Sequence, residues 1–218
     1  MQHDLEVAPD ANAVAARAAT YVAAMATAAV KYHGRFAFAV SGGHTPWAMF
    51  RELAREDMPW PDVDLFQVDE RVAPEGDPDR NLTNLMASIG SAPARVHPMP
   101  VSDPDLHAAA GAYAQVLPQR FDLLHLGLGP DGHTASLVPG DPVLGVTDEL
   151  VGLTRPYQGH SRMTLTYPAL ARADQLLWLV TGADKREPLA KLLAGDESIP
   201  AGRVVAGRSL VLADAAAA

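Results

Sequence analysis

The chain has no cysteine, which excludes disulfides, thiolate metal sites and thiol nucleophiles together. It is also short of positive charge: 17 Lys and Arg stand against 26 Asp and Glu, a formal net charge of -9. That balance argues against a nucleic-acid surface or an anionic membrane surface, although a local cluster of Arg and Lys can still hold a small anion. The first residues, Met1 to Glu6, lack the basic start of a signal peptide. The Ala-rich stretch from Ala11 to Val30 contains Arg17 and several Thr, so it reads as a helix outside the membrane rather than a span. Five histidines (His3, His33, His97, His107 and His160) are scattered without the spacing of a metal site, and neither a metal nor a cofactor is expected. No linker, repeat or long charge block divides the chain. The default is a cytoplasmic enzyme or binding domain, a monomer or small homo-oligomer.

What is present is an alternation of apolar runs and helical patterns over 218 residues, 48% of them hydrophobic, enough for one sizeable core. A helix is predicted from about Pro9 to His33, stopped by Gly34. Strands are predicted over Phe36–Val40, Val63–Val68, Arg95–Met99, Phe121–Leu128 and Gln175–Thr181, with a last one over Ser209–Leu212. Shorter strands are expected over Glu149–Thr154 and Met163–Tyr167. Between them fall helices through Trp47, Phe50 and Leu53, from Asn81 through Ile89, from the Asp103-Pro104 cap to Leu117, and from Asp184 to Gly195, with Glu187 as capping-box partner. The order implies an α/β fold: a single-domain, doubly wound, Rossmann-like and mostly parallel sheet with helices on both faces. Residues 214–218 are expected to be a disordered tail.

The segment Phe121 to Gly140 carries the chemistry. A buried strand breaks at Gly129-Pro130 and presents Asp131, Gly132, His133 and Thr134 at its carboxyl end, the edge where ligands sit in open α/β sheets. A carboxylate two residues before a histidine can hold one ring nitrogen and leave the other as a general base. The bland alternative is a helix-capping Asp followed by a surface His. Gly127-x-Gly129-x-x-Gly132 also matches a dinucleotide fingerprint by letter, but Pro139-Gly140 leaves no room for the long helix that motif needs, and Pro130 removes an N–H from the loop.

A second strand end reads Ser41-Gly42-Gly43, with Thr45 following. A Gly-Gly turn into a helix exposes backbone N–H groups and resembles a phosphate cradle, or is an ordinary β–α turn; it lacks the Lys-Ser/Thr of a P-loop. His44 within it is open between substrate contact and surface filler, and His125, mid-strand, reads as a core or wall residue. Arg71, after Asp69 and Glu70, and Arg162 are individually unremarkable. Lys185 sits beside a helix N-terminus that is already positive, a placement better explained by a bound phosphate than by helix stability.

Ser41-Gly-Gly-His-Thr-Pro46, Asp69-Glu-Arg-Val72 with Asn81 following, Gly127 to Pro139 and Arg162-Met-Thr-Leu-Thr166 occur in that order. Together they resemble the 6-phosphogluconolactonase family, over nearly the whole chain, with Asp-Gly-His-Thr-Ala-Ser-Leu the specific signature. The resemblance implies the glucosamine-6-phosphate deaminase-like fold and hydrolysis of 6-phospho-D-glucono-1,5-lactone in the oxidative pentose phosphate pathway. It implies His133 as base, Asp131 as its partner, Arg71 as an oxyanion donor and Asp69 on a sugar hydroxyl or in acid/base work. It also implies Ser41, Gly42, Gly43, Thr45, Arg162 and Lys185 around the phosphate. Glucosamine-6-phosphate deaminases share the fold, but their pattern Asp-Gly-His-Ile-Ala-Phe-Asn-Glu-Pro carries a Glu that this chain lacks, and Asp-Glu-Tyr stands where this chain has Asp69-Glu70-Arg71. A non-catalytic phosphosugar sensor is the third reading; it would carry a DNA-binding module, and no spare segment for one is evident. His44 and Arg80 depart from the lactonase pattern, which commonly has Ser at both places.

Overall fold

The computed structural model describes residues 2–218. Strands β1 (Asp4–Ala8), β2 (Phe36–Val40), β3 (Val63–Gln67), β5 (Arg95–His97), β6 (Leu123–Gly127), β9 (Gln175–Val180) and β10 (Arg208–Asp214) form one seven-stranded sheet. Its order is β1-β10-β9-β6-β2-β3-β5, and every neighbouring pair is parallel. Alternate residues serve opposite faces. Phe36, Phe38 and Val40 pack with helices α1 (Ala11–His33), α2 (His44–Leu53) and α3 (Asn81–Ile89). Ala39, Phe66, Leu124, Leu126 and Trp178 pack on the other face with α4 (Leu106–Val116), α5 (Tyr167–Leu170) and α6 (Arg186–Ala194). Truncating one such ring, Phe38→Ala for instance, should cost about 3–5 kcal/mol.

Local signals explain the main helices. Asp10 caps α1 by accepting the Ala13 N–H at 2.9 Å, and Gly34 ends it in the left-handed region at φ 87°. The helix is long and apolar enough to cross a membrane, with a mean hydropathy of 1.4. Its stripe Val14, Ala15, Ala18, Ala19, Val22 and Ala26 is instead buried in the core shared with α2 and the sheet. The start of α4 is capped by Asp105 rather than Asp103, and α6 is preceded by a 3-10 turn over Ala183–Lys185. Asp184 and Glu187 do not form the expected capping box: they pair with Lys185 and Lys191, each at 2.8 Å.

Two differences from the sequence expectation stand out. Asp69-Glu70-Arg71 is itself a strand, β4, paired antiparallel with β8 (Arg162–Leu165), which pairs in turn with β7 (Val151–Leu153). This small antiparallel sheet stands beside the main one. The expected tail disorder is also corrected: Asp214 ends β10, Ala215 donates its N–H to the Ala8 carbonyl at 2.9 Å, and Ala217 is buried. Of the four alanines after Asp214, Ala217 is buried and the other three are exposed.

The strand order places the ligand edge. From β2 the chain builds outward through β3 and β5, then returns to β6 on the other side of β2 and continues through β9 and β10. The switch point lies between β2 and β6, where a parallel sheet opens a crevice at the strands' carboxyl ends.

Candidate functional site

A cleft of about 310 Å³ occupies this crevice. Its wall takes Ser41, Gly42, Gly43 and Thr45 from the turn after β2, Gly129 and His133 from the loop after β6, and Lys185 from the turn after β9. Asp69 and Arg71 of β4 and Arg162 of β8 close it from the small sheet. Thus all the side chains singled out from the sequence line one cleft except Asp131, which touches it through His133.

The loop after β6 is folded around His133. No α-helix follows it; the next helical turn is the 3-10 segment Pro142–Gly145, so neither a dinucleotide helix nor a helix for Asp131 to cap is there. Asp131 Oδ1 instead accepts the His133 backbone N–H at 3.1 Å and pairs with ring Nδ1 at 2.5 Å. This fixes the ring and leaves Nε2 without a protein partner among the described residues. Burial pushes the Asp131 carboxyl up, but the backbone N–H, charge and ring hydrogen bond of His133 outweigh it and hold the carboxyl below its ordinary value. The ring lies so close to the loop that a methyl at Gly129 would come within 2.0 Å of Nδ1. Only glycine fits there.

Under the turn after β2, His125 is fully buried, and burial pushes its pKa down to about 3. Its neutral Nδ1 accepts the Ser41 N–H at 3.3 Å. The Ser41 hydroxyl is buried and has no partner among the described residues. Gly43 precedes α2 at φ 138° with no side-chain cap, so the first N–H groups of that helix point toward the cleft unclaimed by a capping side chain. Thr45 Oγ1 pairs with Thr181 Oγ1 at 2.8 Å.

Across the cleft, the antiparallel register sets Arg71 opposite Arg162 and Asp69 opposite Thr164. Like charges placed directly opposite repel, so two cross-strand guanidiniums are stable only with anions near them. Asp69 is one, buried, with Oδ2 accepting from the Ser136 hydroxyl at 2.6 Å. Arg71 donates to Asn81 Oδ1, and Asn81 Nδ2 donates to the Asp69 carbonyl at 2.8 Å. Arg162 is 4% exposed, yet its Nε has no partner. Burial lowers its pKa, with Asp69 opposing and Arg71 adding to the effect; a guanidinium stays charged regardless. Among the described residues Lys185 Nζ pairs only with Asp184, at 2.8 Å.

Some contributors were not singled out as site residues. Asn81 is not the cap of α3 but its first residue, and its side chain turns to Asp69 and Arg71. The N-terminus of α3 is held by Glu70, fully buried, which accepts the Asn81 and Leu82 N–H groups at 2.7 and 2.8 Å. Ser136, Thr181 and Tyr157 complete the surround. Ser136 lies inside the signature segment and Thr181 ends an apolar run, signals that were available; Tyr157 had none. Among the described residues no group of three or more His, Asp or Glu could hold a metal ion.

A family model described as glucosamine-6-phosphate isomerases/6-phosphogluconolactonase matches residues 9–212. A 6-phosphogluconolactonase of Nostoc sp. is 34% identical over 210 residues, covering 89% of this chain and 86% of that protein. One from Streptomyces coelicolor is 40% identical over 189 residues, covering 76% and 72% respectively. The crystal structure of a 6-phosphogluconolactonase from Thermotoga maritima superposes with a TM-score of 0.88 at 26% identity, over 98% of this chain and 100% of that one. With its signature loop, its switch-point cleft and these likenesses, the chain belongs to the glucosamine-6-phosphate isomerase/6-phosphogluconolactonase family.

Proposed function

We propose that this protein hydrolyses 6-phospho-D-glucono-1,5-lactone to 6-phosphogluconate, with His133 as general base. One observation carries the reading: an imidazole fixed at Nδ1 by Asp131 and open at Nε2 shares a single cleft with Arg71, Arg162 and Lys185. In this scheme Nε2 takes a proton from a water whose oxygen attacks the lactone carbonyl. The tetrahedral oxyanion is met by Arg71 or by backbone N–H groups of the cleft. Collapse breaks the bond between C1 and the ring oxygen, and the imidazolium returns its proton to that oxygen. Asp69, tied down by Ser136 and Asn81, is suited to accept a hydrogen bond from a sugar hydroxyl.

The phosphate belongs at the other end of the cleft. The unclaimed N–H groups at the start of α2, the Ser41 and Thr45 hydroxyls, Arg162 and Lys185 are all donors, and Arg and Lys add charge-assisted strength. The Ser41 hydroxyl and Arg162 Nε, buried without partners, are the kind of groups a bound anion satisfies. The deaminase reading has less support, because Val138 stands where that pattern carries its Glu.

Proton release from freshly generated phosphogluconolactone, followed with and without a chelator, tests the proposal. Acceleration that the chelator leaves intact is expected. No acceleration, together with ammonia release from glucosamine-6-phosphate in a coupled assay, would replace the lactonase reading by the deaminase one.

A further inference from the structure

We infer that Tyr157 is a positioning residue for the Asp131–His133 pair, holding the carboxylate oxygen that the histidine does not use; this rests on the reading of His133 as the base. Tyr157 comes from the hairpin between β7 and β8. The Tyr157 N–H donates to the His160 carbonyl at 2.9 Å, and the tip residues Gln158 and Gly159 both have positive φ, 51° and 87°. Two successive left-handed residues give the tight turn that matches the twist of paired strands, so the hairpin is short and its base residues are well placed. For Gln158 the left-handed region carries a steric cost, so its presence there marks a turn held by its surroundings.

Three contacts define the role. The Tyr157 hydroxyl donates to Asp131 Oδ2 at 3.3 Å, while Oδ1 is taken up by His133. The Tyr157 ring meets the His133 ring at 5.5 Å between centroids and 68° between planes. The Arg162 guanidinium carbon lies 5.1 Å from the Tyr157 centroid. Asp131 is otherwise exposed on its outer side, and a carboxylate free to rotate would release the imidazole. Tyr157 does not line the cleft, so it acts through Asp131 and His133 and not on substrate. Burial and the neighbouring carboxylate raise its pKa, which keeps the hydroxyl a donor.

The charged groups around His133 are Asp131 on its own loop, Asp69 and Arg71 on β4, Arg162 on β8 and Lys185 before α6, with the titratable His44 also in the cleft wall. Tyr157→Phe alters none of these charges and keeps the ring. It removes one donor from Asp131, which makes that carboxylate a stronger partner for the imidazolium. The acid limb of the kcat/KM profile should therefore move to higher pH, and the His133 ring resonances in NMR of the free protein should shift with the changed hydrogen bond. Lost orientation should lower kcat about threefold to tenfold with little change in KM. Tyr157→Leu, which also removes the ring, should lower kcat further.

A folded Tyr157→Phe protein whose kcat/KM pH profile and kcat both match the parent would overturn the inference. His133→Ala separates the two claims. Should that variant turn over normally, the base assignment fails; should it be inactive while Tyr157→Phe behaves as the parent, only the role of Tyr157 fails. The His133 ring resonances need no activity, so they read the positioning effect in either case.

Discussion

The two ends of the central sheet carry similar residues and do different things with them. At the amino end of the strands, a cavity of about 390 Å³ is lined by His33, Arg35, Asp64, Arg120, Asp122 and Asp174. There each charge is answered by another. His33 pairs with Asp122 at 2.7 Å, Arg120 pairs with Asp174, and Asp64 holds Arg35, Arg95 and His97 at 2.9, 2.7 and 2.8 Å. At the carboxyl end the cleft is smaller, about 310 Å³, yet its groups are left incomplete: the Ser41 hydroxyl and Arg162 Nε lack partners, and two arginines face each other across a strand pair. Histidine–carboxylate pairs occur at both ends. At His133 the second nitrogen has no partner among the described residues and the ring lines the same cleft as Arg71, Arg162 and Lys185. Unanswered donors, rather than cavity size or charge count, distinguish a site from a solvated ion network.

That contrast can be broken by substitution. His133→Ala should lower kcat by about 10²–10⁴-fold, whereas His97→Ala, in the other histidine–carboxylate cluster, should leave kcat within about twofold. Steady-state rates on the phospholactone decide it; a comparable loss from both would erase the distinction. Next in size, Arg162→Ala or Lys185→Ala should raise KM for the phosphorylated lactone by roughly 10–100-fold and move the unphosphorylated lactone far less. Arg120→Ala should move neither, and equal effects on both substrates would remove Arg162 and Lys185 from the phosphate site. Gly129→Ala should then lower kcat about tenfold or more while the protein stays folded, because the added methyl displaces the His133 ring; unchanged turnover would mean the ring position is not critical.

The smallest effect is on stability. His125 is neutral in the folded protein, its pKa pushed from 6.5 to about 3 by burial. Between those values the unfolded chain binds the extra proton, so stability is full above pH 6.5 and falls as pH drops toward 3. His125→Gln, which can still accept the Ser41 N–H, should flatten that part of the melting-temperature profile. An unaltered slope would show that carboxylates alone set it.

Much of this was legible in the sequence, because most of the parallel strands are short apolar runs, and the polar residues just past the ends of β2, β6 and β9 are the ones a switch point gathers. What escaped has physical reasons. β4 is three polar residues, with no periodicity to mark it as a strand, and its partner β8 lies far along the chain. Pairing register, not local pattern, sets Arg71 against Arg162. Asn81 looked like a cap because caps and site residues share side-chain chemistry; the buried carboxylate of Glu70 took over the capping and freed it. The alanines after Asp214 carry no pattern, so only packing reveals that Ala217 is buried.

The most direct measurement is a crystal structure of the complex with 6-phosphogluconate. The account predicts phosphate oxygens against Lys185, Arg162 and the start of α2, with the C1 carboxylate within hydrogen-bond reach of His133 Nε2. A phosphate seated on His133, or a ligand bound at the amino end of the sheet, would contradict it.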